Sequence, residues 1–357
     1  MVERILVMGF AGIGDTLLTT PVLTLLRENN PKASIYGIVT SKNQLNVLKT
    51  NPTIDEIVYA SGLWKNPVTF IKTLVKLRKS KFDYVITFYP TTRILFNVLA
   101  FLSRVPKRIT HSYPGDKYRK LTFLQNEQVP LIPGGHSVVQ NLELLRPLGV
   151  RFDDSLNYGL TLNLSESERH AADRFLLDNG VAAGDFIVGI HPGSGGMEYK
   201  RWPLDRFISL AKKCVKGLGC QVIFFCGPRE RDVSLSVEKL GGGKIHVFKG
   251  SLGETAALIS KCGLFVSNDS GLMHVAVSQN VPVIGIFGPT DPEKTGPYTK
   301  NKVLVKSRID CSPCYNPDEH RRFDCKFQRS KCLEDITVDE IYSKVQKGLS
   351  SFKTGNH

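Results

Sequence analysis

Short runs of aliphatic and aromatic residues punctuate the first half of the chain, at Ile5–Met8, Ser34–Thr40, Ile54–Tyr59 and Tyr84–Phe88. Between them, Leu17–Glu28, Leu45–Thr50, Phe70–Lys79 and Ile94–Ser103 repeat apolar residues at three- and four-residue intervals, the spacing of one helix face. The second half keeps the same rhythm. Runs at Phe186–Ile190, Gln221–Cys226, Ile245–Phe248, Leu264–Ser267 and Val281–Phe287 alternate with helical spacing at Leu204–Lys216, Asp232–Leu240, Glu254–Cys262 and Gly271–Ser278. Strands without strict alternation are apolar on both faces, so the pattern predicts an α/β protein with two parallel sheets, each covered by helices.

The join between the halves is expected within Leu162–Gly184. There, Ser165 and Glu168 have the spacing of a capping box, and Asn179-Gly180 supplies a helix stop. The expected domains are 1–170 and 171–335, followed by a segment 336–357 with a last helix at Val338–Leu349 and a polar, frayed tail.

At 357 residues the chain suits two domains, and 41% hydrophobic with 22% charged residues excludes disorder as the main state. Lys and Arg number 47 against 33 Asp and Glu, a net +14 that favours an anionic partner: nucleic acid, a phosphorylated small molecule or a membrane surface. No nucleic-acid-binding motif accompanies the charge, so nucleic acid is not an expected partner. The start, Met1-Val2-Glu3-Arg4, lacks the pattern of a signal peptide, and apolar stretches such as Ile94–Leu102 fall far short of the roughly 20 residues that span a bilayer. A cytoplasmic protein is expected. Of eight cysteines, four are scattered and four cluster as Cys311-x2-Cys314-x10-Cys325-x6-Cys332, with His320 inside. Four thiolates can close a tetrahedron around a structural zinc; free thiols, a disulfide or an iron–sulfur group are the alternatives.

Three loops carry candidate chemistry. Gly9-Phe10-Ala11-Gly12-Ile13-Gly14-Asp15 follows the first strand, but its spacing is G-x-x-G-x-G, not the dinucleotide pattern G-x-G-x-x-G, and no P-loop lysine follows. Asp15 either caps the helix or offers a carboxylate at a strand's carboxyl end, where such sheets bind ligands. His191-Pro192-Gly193-Ser194-Gly195-Gly196, ahead of Lys200-Arg201-Trp202-Pro203, suits a diphosphate or is a glycine turn beside solvated cations. Ser267-Asn268-Asp269-Ser270-Gly271-Leu272-Met273-His274 places a carboxylate, a hydroxyl and free amides at one helix start, or is an ordinary N-cap. Taken together, the three loops describe an inter-domain cleft for a phosphorylated ligand.

These segments in order, with Leu17, Pro21, and Gly227-Pro228 before Glu230, resemble glycosyltransferase family 9, the ADP-heptose:lipopolysaccharide heptosyltransferases, from about residue 4 to about residue 345. Asp83, Arg93 and the segment 104–109 also look like that family's N-terminal half. The resemblance implies a GT-B architecture: two Rossmann-like domains with parallel sheets facing a central cleft, acceptor on the first, nucleotide sugar on the second, and the last helix crossing back to the first. It implies inverting transfer with no cofactor or metal required. Asp15 would be the base, on the acceptor-side loop with Gly12 and Gly14. Lys200, with Ser194 and Gly195, would hold the donor diphosphate, and Glu230 the ribose. Asp269 would contact the sugar, Ser270 and Gly271 the phosphates, and His274 closes the same donor motif.

The implied partners are an ADP-sugar donor and an anionic glycolipid or oligosaccharide acceptor at the inner face of the cytoplasmic membrane. Lys72, Lys76, Lys79, Lys81, Arg104, Lys107, Arg108, Lys117, Arg119 and Lys120 would hold that acceptor or an anionic membrane, or are solvated surface charge. A single displacement at an anomeric carbon needs a base on one face and stabilisation of a departing diphosphate on the other, which these residue types supply. The competing readings are a transferase using another nucleotide sugar for a different surface glycan, a nucleotide-dependent oxidoreductase and a glycan-binding protein without catalysis.

Overall fold

The computed structural model describes residues 3–90, 94–113, 121–153, 156–240, 243–315, 325–327 and 330–354. Arg93, Lys117, Arg119, Lys120 and His320 lie outside them. The chain divides into two units, Met1–Asn163 and Leu164–His357.

In the first unit the strands are β1 (Arg4–Met8), β2 (Ser34–Val39), β3 (Glu56–Tyr59), β4 (Tyr84–Thr87), β5 (Lys107–Ser112) and β6 (Glu127–Pro130). Its helices are α1 (Ile13–Leu17), α2 (Thr20–Asn29), α3 (Lys42–Leu48), α4 (Pro67–Ser80), α5 (Ile94–Leu102) and α6 (Ser137–Glu143). All pairings are parallel, in the order β3-β2-β1-β4-β5-β6. One face is filled by Leu6, Met8 and Val85 from the strands, Leu77 from α4, and Phe96 and Leu99 from α5.

The second unit holds α7 (Glu166–Asp178), β7 (Ile187–His191), α8 (Leu204–Leu218), β8 (Gln221–Phe225), α9 (Arg231–Glu238) and β9 (Ile245–Phe248). It continues with α10 (Leu252–Ile259), β10 (Leu264–Asn268), α11 (Gly271–Ser278), β11 (Val283–Phe287), α12 (Pro292–Thr295), β12 (Lys302–Lys306), α13 (Lys331–Glu334) and α14 (Val338–Thr354). Its six strands are also parallel, ordered β12-β11-β10-β7-β8-β9. Both sheets thus have the doubly wound, Rossmann-like form that the hydrophobic runs predict.

The differences from the pattern have physical causes. The single helix expected over Leu17–Glu28 is two, because Pro21 has no N–H for the carbonyl of Leu17; the hydroxyl of Thr20 donates to that carbonyl instead, at 2.7 Å. The strands β5, β6 and β12 escape the pattern because each is short and mixes polar with apolar positions (KRITHS, EQVP, KVLVK). The expected boundary at 170/171 falls inside α7, which packs whole on α10: a Cβ at Gly253 would overlap the Glu168 carboxylate, and Lys261 pairs with Asp173 at 2.6 Å. The last helix, expected on the first unit, buries Ile341, Val345 and Leu349 in the core of the second and lies against α8, where Gly217 leaves room for the Tyr342 hydroxyl. No helix among the described residues is long and apolar enough to cross a membrane.

Candidate active site

In the first unit the loop after β1 is held from three sides. Gly9 has φ +97°, and a Cβ there would stand 2.9 Å from the Phe88 amide nitrogen, so the position needs glycine for both conformation and space. The buried Gln44 amide donates to the carbonyls of Phe10 and Ala11 at 2.7 and 2.8 Å, while its oxygen accepts from Thr40 N. Gly12 then caps α1 in an extended conformation, and the Asp15 carboxylate reaches back to accept from Gly12 N at 3.0 Å. Gly14 lies between them in the first turn. The capping role is therefore real, and it orients a half-buried carboxylate at the carboxyl end of β1.

In the second unit the strand order sets β10, β7 and β8 side by side, so the loops that follow them leave one edge of the sheet. Asn268, at the end of β10 and fully buried, ties both ends of the loop after β7 to itself. Its oxygen accepts from Trp202 N at 2.9 Å, and its amide donates to the carbonyls of Pro192 and Gly193 at 2.8 and 3.3 Å. That clamp brings Lys200 onto Asp269: the ammonium donates to the carboxylate at 2.8 Å, with both side chains largely buried. Burial alone would push the Lys200 pKa down, but the charge and hydrogen bond of Asp269, with the phenols of Tyr315 and Tyr199 beside it, hold it above its usual value. The ammonium also sits over the Tyr315 ring, 5.3 Å from its centre.

The third loop supplies Glu230, buried at the start of α9. One of its oxygens accepts from Gly227 N at 3.1 Å, and the other faces Gly193, where a Cβ would lie 2.5 Å away. Arg201 lies 3.8 Å from Glu230 and donates to the Ser194 hydroxyl at 3.3 Å; Arg229 donates to the Gly195 carbonyl at 2.7 Å. The Ser194 hydroxyl itself donates to Met197 O at 2.6 Å, which leaves its oxygen as an acceptor and not as the donor expected for a phosphate. Ser270 is the N-cap of α11 and lies 2.9 Å from the Ser267 hydroxyl; Gly271 opens the helix, and His274 is buried one turn in. His191 donates through Nδ1–H to Phe225 O at 2.8 Å, and burial pushes its pKa down, so it adds no charge at neutral pH.

Lys200, Glu230, Asp269, Ser270, Gly271, Ser194, Gly195 and His274 are thus assembled within one unit, and Asp15, Gly12 and Gly14 within the other. Sequence reasoning missed Asn268 as the clamp, although it stood in the quoted motif, and missed Arg229, Tyr199, Tyr315 and Gln44. Only Arg229 carried a sequence signal, as a cation next to Glu230.

Cys311, Cys314, Cys325 and Cys332 lie near one another: besides burial, the neighbouring thiols push the Cys314 and Cys332 values up. Cys332 lies in the core against Gly288, where a Cβ would be 2.8 Å from its sulfur, and burial pushes its thiol up to about 11. Cys314 is exposed, its backbone N–H donating to Pro289 O at 2.9 Å. Among the described residues no three His, Cys, Asp or Glu side chains gather closely enough to hold a metal.

Comparison with known proteins agrees with this arrangement. The model of glycosyltransferase family 9 (heptosyltransferase) matches residues 71–322. Lipopolysaccharide heptosyltransferase 3 of Escherichia coli strain K12 is 30% identical over 304 residues, covering 81% of this chain and 83% of that protein. The glycosyl transferase family 9 structure from Veillonella parvula DSM 2008 superposes with a TM-score of 0.79 at 28% identity, over 98% of this chain and 97% of that one. The E. coli heptosyltransferase WaaC with ADP-2-deoxy-2-fluoro heptose shares the fold, with a TM-score of 0.69 at 18% identity over 97% and 99% of the two chains. The two-unit α/β architecture is that of GT-B heptosyltransferases, and the chain belongs to glycosyltransferase family 9: it is an enzyme of heptose transfer.

Proposed function

We propose that the enzyme transfers heptose from an ADP-linked donor to an anionic inner-core lipopolysaccharide acceptor by a single inverting displacement that uses no metal. The observation that carries this reading is the buried Lys200–Asp269 pair beside the N-terminus of α11. A fixed ammonium and a helix start aim positive charge at one place, which suits the charge that grows on a departing diphosphate. Arg201 and Arg229 add cations to the same loop. Glu230, an acceptor of hydrogen bonds only, suits a ribose diol. In the first unit, Asp15 would take the acceptor hydroxyl's proton as the new bond forms. Support for an adenosine diphosphate donor comes from the related WaaC, whose structure holds an ADP-heptose analogue.

Calorimetric titration with ADP, UDP, GDP, dTDP and NADH in the presence of EDTA tests the donor. ADP is expected to bind best, and Lys200→Ala is expected to weaken it about ten- to a hundredfold, the worth of a charge-assisted hydrogen bond. Preference for another nucleoside diphosphate would change the sugar donor. Binding of NADH alone, or unchanged ADP affinity in Lys200→Ala, would overturn the assignment.

A further inference from the structure

The net charge is concentrated. From residue 57 to residue 115 the chain carries ten Lys and Arg and a single carboxylate, Asp83, so nine of the fourteen net positive charges fall in about a sixth of its length. This stretch contains α4 and α5, neighbours on one face of the first sheet. They are fastened near both ends: the rings of Trp64 and Phe96 pack edge-on at 4.7 Å, and Arg78 donates to Leu102 O at 2.9 Å.

The outward side of this pair is apolar as well as basic. Six of the fifteen exposed large hydrophobic side chains among the described residues lie on these two helices: Val68, Ile71 and Val75 on α4, and Ile94, Leu95 and Phe101 on α5. Val68, Ile71 and Val75 follow at three and four residues, which aligns them along one stripe, while Leu74 and Leu77 turn to the core. Lys72, Lys76 and Lys79 flank that stripe in the same register, and Arg104 and Lys107 stand exposed just beyond α5. The Arg108 guanidinium lies over the Phe101 ring, 5.7 Å from its centre. Of the flanking lysines, Lys76 meets Glu56 at 2.7 Å, an exposed pair of little strength.

We infer that this face of α4 and α5 docks on the surface of an anionic phospholipid bilayer. Exposed aliphatic side chains in a stripe are costly in water but enter the boundary between headgroups and acyl chains, and lysines beside them reach the lipid phosphates while their stems stay apolar. A purely basic patch would suit any polyanion; the interleaved Val, Ile and Phe select a lipid surface. Neither helix is long enough to span, so the contact lies in the plane of the membrane. The inference does not depend on the donor or on the role of Asp15, and it gives a transferase of lipid-linked acceptors a place to meet them.

The test is sedimentation of the whole chain with phosphatidylcholine vesicles, with and without phosphatidylglycerol. The protein is expected to pellet with the anionic vesicles alone, and less as salt is raised. Ile71→Glu with Val75→Glu, and separately Lys72→Glu with Lys79→Glu, should each weaken binding at least about tenfold. Both variants should keep the wild-type melting temperature and ADP affinity, and Ile71→Ser with Val75→Ser stands in if the glutamates impair folding. Wild-type protein that stays in the supernatant, or apolar variants that bind as wild type, would overturn the inference. So would a self-associated species in sedimentation velocity that the same substitutions dissolve.

Discussion

The Asp15 carboxylate does two things that a substitution can separate. Its oxygen accepts from Gly12 N and so closes the first turn of α1, and the proposed chemistry asks the same group to take a proton. Asparagine keeps the capping oxygen and loses the basicity. Asp15→Asn is therefore expected to melt within about 1 °C of wild type and to bind ADP unchanged, while transfer falls about 10²- to 10⁴-fold, the usual worth of a positioned base. The check is a transfer assay run beside a melting curve. Full activity in Asp15→Asn would leave the residue a cap and nothing else.

At the scale of elements, one side chain at the end of β10 decides where the loop after β7 goes. Asn268 satisfies Trp202 N and the carbonyls of Pro192 and Gly193 from a fully buried position. Removing it strands polar backbone groups that water does not reach. Asn268→Ala is expected to cost at least about 3 kcal/mol, the low end of about 1–3 kcal/mol for each of three orphaned groups, and to weaken ADP because Lys200 loses its anchor. Urea unfolding and calorimetry measure the two effects. A variant as stable as wild type would show that the clamp contributes nothing. The Lys200–Asp269 pair depends on the same geometry, since it joins a loop after β7 to the end of β10.

For the molecule as a whole, buried histidines set the response to mild acid. Burial pushes His111 and His191 below the usual histidine value of about 6.5. The unfolded chain takes up these protons first, so their contribution is fully present above about pH 6.5 and is lost as pH falls toward the folded values. The carboxyls whose values are lowered, Asp173, Asp185 and Glu254, stay ionised through this range and add no slope. The melting temperature is expected to be flat from pH 8 to 7 and to drop between pH 6.5 and 5. A flat profile across that window would show that both rings find their protons at no cost in the folded protein.

Much of this protein is legible in one dimension. Continuous apolar runs and the 3.6-residue period are local properties, and a short run such as Phe186–Ile190 between helical segments reads as a strand buried on both faces, so the two parallel sheets and most helices could be read directly. The glycine at position 9 and the capping box at Ser165 and Glu168 are local as well. What the sequence left open involves partners distant along the chain. Strand order alone makes neighbours of the loops after β7, β8 and β10, and only that adjacency turns Asn268 from a plausible cap into a clamp and brings Tyr315 beside Lys200. The same holds for α7 and α14, whose apolar faces were visible but whose partners, α10 and α8, were not, and for Cys332, which packing draws into the core. Sequence periodicity specifies which face of an element is buried; the surface that buries it is chosen only when the whole chain packs.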